Sequence, residues 1–180
     1  MLKYAFIMNS RGLTPETYSV TFSNDAFYYY IAAVHGMKMT REIVKKLAAE
    51  GINLVNLCGD YNAEKAEDVR SATDHKIEVR YAKYSEEDLQ KLDTMESLNE
   101  YGIIFMEDGI GDKAEKFRLE SEEYNTSITF ANSNEMAVEA AKEMVEQGVL
   151  FIELCSYFDL KKADEIAEAI GHKVPIGYCG

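Results

Sequence analysis

The distribution of apolar and polar residues predicts alternating strands and helices along the chain. Short apolar or β-branched runs predict strands, and longer stretches with apolar residues at helical spacing predict helices, the first of which ends at Gly51. The order strand, helix, strand, helix, strand with short connections favours a parallel sheet with right-handed crossovers. The predicted elements of the first half are strands at Tyr4–Met8, Phe27–Val34, Ile52–Cys58 and Lys76–Tyr81, and helices at Met39–Glu50 and Ala63–Thr73.

The same pattern returns, without a gap, at an offset of 97 residues. Residues 4–81 laid over residues 101–178 share sixteen identities in 78 positions, and the apolar positions match as well. An unbroken register of this length predicts that the chain is two copies of one unit. The elements of the second copy are strands at Tyr101–Phe105, Thr126–Ala131, Val149–Cys155 and Lys173–Tyr178, and helices at Met136–Gln147 and Leu160–Ile170.

The repeat also predicts the domain organisation. Residues 1–83 form the first repeat, residues 84–100 a linker helix, and residues 101–180 the second repeat. The run Ser85-Glu86-Glu87-Asp88 resembles a capping box, and apolar residues follow it at helical spacing, which predicts that the linker helix packs.

The segment after the first strand differs between the copies, so its secondary structure stays open. Residues 14–24 contain the β-branched and aromatic run Thr17–Phe22, which favours a strand. Residues 111–124 contain the Lys- and Glu-rich run Asp112–Tyr124, which favours a helix.

The predicted fold class is α/β, a tandem duplication of a unit with a β-α-β-α-β parallel core and pseudo-two-fold symmetry. Crossovers of one hand place both helices of a unit on one side of its sheet, so the other face needs a cover. Two arrangements supply it from the twin copy: facing sheets, or two half-barrels that close a small (βα)8-like barrel. Both would direct the same third-strand residues toward a shared interior, namely Asn56, Cys58, Glu153 and Cys155.

Composition excludes several classes of protein. A net charge of −13 without a basic cluster argues against nucleic acid and against an anionic membrane surface as partners. The apolar run Tyr4–Met8 is too short for a signal peptide core or a membrane span. An odd count of three cysteines suits a reducing compartment, so we expect a cytoplasmic protein whose acidity serves solubility.

Two residues on the third strand of the second copy are candidates for catalysis. Glu153 is charged on a strand that is otherwise nearly all apolar, and a buried carboxyl is where a pKa shifts toward general acid or base chemistry. Cys155 lies on the same face and is a candidate thiol. The competing interpretation is structural: Glu153 would then hydrogen-bond to backbone or to the linker helix, and Cys155 would be a small buried apolar residue.

The carboxyl ends of the strands are the expected place for a ligand, as in other parallel sheets. Ser156 and Tyr157 also lie at this edge in the second copy. The candidate ligand-binding residues there and on the third strand are Asn9, Arg11, His35, Asn56, Cys58, Glu107 and Asn132.

Cysteine and histidine both recur in the repeat, yet the topology argues against a Cys–His pair. Each cysteine ends the third strand and each histidine begins the fourth, which places them at opposite sheet edges roughly 15 Å apart. A nucleophile and its base must lie within about 3 Å. We therefore expect His75 and His172 to cap helix ends or bond to backbone. No metal site is predicted, and the chain has no Walker loop, G-x-G-x-x-G or zinc spacing that would name a cofactor.

The segment Glu146–Phe158 carries a family resemblance. It resembles the E-G-V-x-L-I-E-L-C-G-G-F-G signature of domain-of-unknown-function family 6506, a family of small bacterial and archaeal proteins, and Val174-Pro-Ile-Gly177 resembles that unit's V-P-V-G strand. The second copy keeps Glu-Leu-Cys but has Ser156-Tyr157 where the family favours Gly-Gly. The first copy has Asn56 in place of the glutamate. The resemblance implies two fused copies and no particular activity.

Two function classes fit these residues. In the first, the protein binds a small molecule at the carboxyl ends of the strands or between the repeats, with or without catalysis. In the second, it is a non-catalytic scaffold or oligomerisation module, in which the duplication replaces a homodimer. A homo-oligomer is compatible with both.

Overall fold

The computed structural model describes residues 1–179 and divides into two compact units. The first unit spans Met1–Tyr81, and the second begins at Ala82. Within residues 1–179, no helix combines the length and the apolar character that crossing a membrane requires.

The first unit is a five-stranded sheet with two helices. Its strand order is β2-β3-β1-β4-β5, and β2 is antiparallel to β3 while the other neighbours are parallel. Each helix follows a strand and returns the chain to the start of the next one. The elements are β1 (Leu2–Asn9), β2 (Ser19–Ser23), β3 (Phe27–Val34), α1 (Gly36–Ala49), β4 (Leu54–Leu57), α2 (Ala63–Ala72) and β5 (Glu78–Tyr81).

The second unit repeats this arrangement after one additional helix, α3 (Glu86–Asp93). Its strand order is β10-β9-β6-β8-β7, with β7 antiparallel to β8. The remaining elements are β6 (Glu100–Met106), β7 (Glu115–Glu120), β8 (Asn125–Ala131), α4 (Asn134–Glu146), β9 (Phe151–Ser156), α5 (Leu160–Ala169) and β10 (Ile176–Tyr178).

The strand registers repeat at the same 97-residue offset as the sequence. Tyr4 lies opposite Leu54, and Tyr101 lies opposite Phe151. The antiparallel edges match as well, since Ser19 pairs with Ala32 as residue 116 pairs with residue 129. Equal strand order and register confirm the predicted α/β fold by tandem duplication. The alternative of a (βα)8-like barrel is wrong, because the strands form two separate sheets of five.

The structure settles the segment that the sequence left open: residues 112–124, whose Lys- and Glu-rich composition favours a helix, contain a strand instead. The segment contains strand β7, in which Phe117 and Leu119 are partly buried while Lys116, Arg118 and Glu120, which alternate with them, are exposed. This alternation has the period of a strand, and the charged side chains occupy the solvent side of an edge strand. The high Lys and Glu content therefore reflects exposure and not helix formation.

The helices of the second unit cover one face of its sheet. Ile152 and Leu154 of β9 pack there in a cluster with Ala141 of α4 and Ile166 of α5. A side chain at Gly102 would meet Met144, Val149 and Ile152 at 3.0 Å or less, which explains the glycine at this close approach. Because side chains alternate along a strand, Glu153 and Cys155 point to the opposite face.

Candidate functional site at the carboxyl edge of the second sheet

The edge formed by the carboxyl ends of β6 and β9 is the place where this topology favours a ligand. The two strands are parallel neighbours, and Met106 at the end of β6 lies opposite Ser156 at the end of β9. From β6 the chain continues toward β7 and β8 on one side, whereas from β9 it continues through α5 to β10 on the other. Open α/β sheets bind ligands at such switch points, outside the carboxyl ends of the strands. Glu107 is the first residue after β6 and stands at this point.

Glu107 is a buried carboxyl with altered proton affinity. Only 4% of the residue is exposed. Desolvation by burial raises the pKa of Glu107 to about 7, against the lowering effect of a hydrogen bond from Ser156 and with a further increase from the charge of Asp108. At neutral pH the carboxyl is therefore populated in both protonation states and can donate or accept a hydrogen bond.

Ser156, which is hydrogen-bonded to Glu107, has a strained backbone conformation. Its φ of +75° lies in the left-handed region, which costs an L-residue about 1–2 kcal/mol. The other non-glycine residues of positive φ within residues 1–179 are Asp74, His75 and His172, all in turns at helix ends. Ser156 instead ends a strand, beside the candidate carboxyl.

The loop after β6 is held by Asn132. Its side-chain nitrogen donates to the carbonyl oxygens of Ile110, at 3.3 Å, and Gly111, at 2.9 Å. The backbone of Glu107 is tied in as well, since its N–H donates to the Ala131 oxygen at 2.8 Å. Asn132, predicted as a ligand-binding residue, thus fixes the turn that follows Glu107.

The corresponding edge of the first unit carries hydrogen bonds among its own residues. The Asn9 side chain accepts a 2.8 Å hydrogen bond from the Gly36 N–H at the start of α1 and donates to the Asp60 carboxylate. The Asn9 N–H donates to the Cys58 sulfur at 3.4 Å. Two further candidates are exposed near this edge, Arg11 and His35. The structure therefore joins Asn9 and Cys58, and it supplies Asp60 as a partner for Asn9.

Glu153 is enclosed by two tyrosines on the face away from the helices. It is 1% exposed, Tyr84 donates to its Oε1 at 2.7 Å, and Tyr101 donates to its Oε2. Sequence reasoning did not find Tyr84, which lies just before α3. The glycine at position 177 is related to this contact, because a side chain there would come within 2.6 Å of the Tyr84 ring.

The other third-strand candidates are buried as well. Cys155 has no exposed surface, and 7% of Cys58 is exposed. Asn56, the counterpart of Glu153, is fully buried, and among the described residues its side-chain oxygen and nitrogen have no hydrogen-bond partner. The structure therefore places the predicted residues in different settings: Glu107 lies at the carboxyl edge of the sheet, and Glu153 lies in a closed cluster with two tyrosines.

The two recurring histidines lie in the turns that end α2 and α5. The N–H of His75 donates to the Arg70 oxygen at 3.1 Å, and that of His172 donates to the Ala167 oxygen at 2.9 Å. These bonds satisfy carbonyl groups in the last helical turn through the backbone N–H groups of the two histidines, not through their imidazoles. Within residues 1–179, no group of three or more His, Cys, Asp or Glu side chains is placed to hold a metal ion.

A family model matches the chain twice, over residues 2–97 and residues 99–180, and its description is a family of unknown function, DUF6506. The chain belongs to this family. No curated protein matches the sequence. Among solved structures, the DUF6506 chain is similar to an ABC transporter system solute-binding protein from Conexibacter woesei DSM 14684. The identity is 12%, the match covers 98% of this chain and 69% of the other, and the TM-score is 0.30. A likeness of this degree does not indicate a function.

Proposed function

We propose that the second unit binds a small polar molecule in the crevice between the carboxyl ends of β6 and β9, with Glu107 as the central binding group. One observation carries the proposal. A buried carboxyl whose pKa is raised to about 7 stands at the switch point of the sheet, hydrogen-bonded to Ser156.

The negative charge near the proposed site restricts the charge that the ligand can carry. Asp108 adds negative charge beside Glu107, and the whole chain carries a net charge of −13. An anionic ligand would be repelled, whereas a neutral or cationic molecule with a hydrogen-bond donor would be favoured. A ligand amine or hydroxyl would donate to the ionised carboxyl, and a ligand carbonyl would accept from the protonated one. The same proton exchange would let Glu107 act as a general acid or base.

The divergence of the two units supports a site in the second unit. By the 97-residue offset, Ser10 and Gly59 stand where the second unit has Glu107 and Ser156. Asn9 in the first unit is already engaged by Asp60 and Gly36. The proposal is therefore one site per chain.

Glu153 and Cys155 are assigned a supporting role in this proposal. Both oxygens of Glu153 accept tyrosine hydroxyls, and Cys155 has no exposed surface. They hold the strand that ends at Ser156, since β9 carries all three residues.

A thermal-shift screen against metabolites and divalent metals tests the proposal. We expect at least one neutral or cationic compound to raise the melting temperature, because a ligand stabilises the folded state by mass action. That shift should disappear in Glu107→Gln and persist in Asp108→Asn, which removes a neighbouring exposed carboxylate. A ligand whose shift is the same in both variants would refute the assignment to Glu107.

A second candidate function is an interaction module, favoured by two exposed apolar side chains, one just after β9 and one at the start of α5. Tyr157 is 58% exposed and Leu160 is 56% exposed. If these side chains join copies of the chain, light scattering should give a mass above 20.4 kDa that Leu160→Lys lowers to that of a monomer. A monomeric mass for the unaltered protein at all concentrations would exclude this candidate.

A further inference from the structure

We infer that Ser156 is a positioning residue, which holds the Glu107 carboxyl at the end of β6 by a hydrogen bond from its hydroxyl. The inference deepens the proposed function and rests on it for its biological meaning. It concerns a specific residue of the second unit, since the first unit has Gly59 at the equivalent position.

The backbone conformation is the first observation. Ser156 has a φ of +75° at the end of β9, a conformation that glycine would adopt without strain. His75 and His172 share a positive φ, but each belongs to a hydrogen-bonded turn that ends a helix. The positive φ of Ser156 instead stands at the end of a strand, where no helix-end turn accounts for it.

The position of the side chain is the second observation. Ser156 lies opposite Met106, the residue before Glu107, and its hydroxyl donates to the Glu107 carboxyl. Its neighbours on the chain cannot replace it, because Tyr157 points outward with 58% exposure and Phe158 is apolar and buried. In the first unit Gly59 stands at the equivalent position and has no side chain to donate.

A hydroxyl that donates to a carboxyl stabilises its ionised form. The bond therefore opposes the effect of burial, which favours the protonated form. Without Ser156 the carboxyl would stay protonated to higher pH and would lose its fixed direction. Ser156 thus sets both the orientation and the proton affinity of the binding group.

Two variants separate the effect of backbone strain at position 156 from the effect of the serine hydroxyl. Ser156→Gly removes the hydroxyl and relieves the strain, whereas Ser156→Ala removes the hydroxyl and keeps the strain. Asp74→Gly, at a left-handed position in the first unit, is the control for strain alone. The side-chain carboxyl of Glu107 is followed by ¹³C NMR as a function of pH, and stability is followed by urea unfolding.

We expect the pKa of Glu107 to rise clearly in both Ser156 variants and to stay unchanged in Asp74→Gly. We also expect Ser156→Gly to lower the unfolding equilibrium constant several-fold relative to Ser156→Ala. A Glu107 pKa that is the same in all four proteins would overturn the inference, even if ligand binding depends on Glu107. If the pKa responds as expected but no ligand depends on Glu107, the inference holds for the pair and the proposed function fails.

Discussion

The hydroxyl of Tyr84 donates a 2.7 Å hydrogen bond to Oε1 of Glu153, a residue 69 positions later in the chain. The ring of Tyr84 reaches this point by lying against Gly177, which is paired with Glu153 on the neighbouring strand. The segment is held there by two 3.0 Å backbone hydrogen bonds between Lys83 and Tyr178. The tyrosine therefore closes the edge of β10 and satisfies the buried carboxylate at once.

Gly177→Ala should displace Tyr84 and destabilise the protein. The added methyl carbon would lie 2.6 Å from the Tyr84 ring, closer than van der Waals contact permits. We expect a loss of about 1–3 kcal/mol in the free energy of unfolding, measured with urea. Gly111→Ala is the matched control, because a methyl group there meets nothing within 4 Å.

A double-mutant cycle decides whether the effect passes through Tyr84. In a Tyr84→Ala background the tyrosine ring is absent, so Gly177→Ala should become nearly neutral. Additive losses in the double variant would mean that Gly177 is required for a reason other than the tyrosine.

Glu153→Gln should reduce stability and leave ligand binding unchanged. Both carboxylate oxygens accept tyrosine hydroxyls, and the amide nitrogen of glutamine cannot accept. The expected loss is about 1–3 kcal/mol in urea unfolding. Glu139→Gln, on the exposed surface of α4, is the control. A variant of unchanged stability that no longer responds to the ligand would instead place Glu153 in the binding site.

Stability should depend on pH through Glu107. Its pKa is raised from an ordinary 4.5 to about 7 in the folded protein. Between these values the folded state holds more protons than the unfolded state, so this group's contribution is complete below about pH 4.5 and is lost as pH rises through 7. At 1.36 kcal/mol per pKa unit the loss is at most about 3 kcal/mol.

The difference between wild type and Glu107→Gln isolates that contribution. We expect the wild-type protein to lose stability relative to the variant as pH rises from about 4.5 to 7, in urea unfolding series. Curves that stay parallel over this range would show that the pKa of Glu107 is not raised by folding.

Asn9→Ala should destabilise the first unit without affecting the ligand. The variant loses the bond from the Gly36 N–H and the bond to Asp60. We expect a loss of about 1–3 kcal/mol, against a small change for the neighbouring Ser10→Ala. If Asn9→Ala instead abolishes the thermal shift at unchanged stability, the ligand lies at the first unit.

The duplication and the β-α-β-α-β core could be predicted from sequence because both depend on local periodicity. The strand over Phe27–Val34 has the predicted bounds, and the α1 and α4 helices differ from prediction by one to three residues at each end. Strand β7 could not be assigned from sequence, because its charged residues favour a helix although Phe117 and Leu119 alternate with them. An edge strand has one exposed side, and its composition resembles that of a surface helix.

The candidate site could be predicted only in part. The sequence predicts a site at the carboxyl ends of the strands, and Glu107 among its residues, because the topology determines at which sheet edge the loops after the parallel strands lie. The pKa of Glu107 depends on its burial and on a hydrogen bond from Ser156, which follows from the pairing of β6 with β9. Neither can be derived from a single sequence. The hydrogen bond between Tyr84 and Glu153 could not be predicted for the same reason, since it joins residues 69 positions apart.

The most direct test is a calorimetric titration of the best ligand from the screen into wild type, Glu107→Gln and Glu153→Gln at pH 7. The account predicts that Glu107→Gln weakens binding at least tenfold and that Glu153→Gln binds like wild type. In wild type, binding should also change the number of bound protons, seen as heats that vary with the ionisation enthalpy of the buffer. Equal affinities for wild type and Glu107→Gln, or loss of binding in Glu153→Gln alone, would contradict the account.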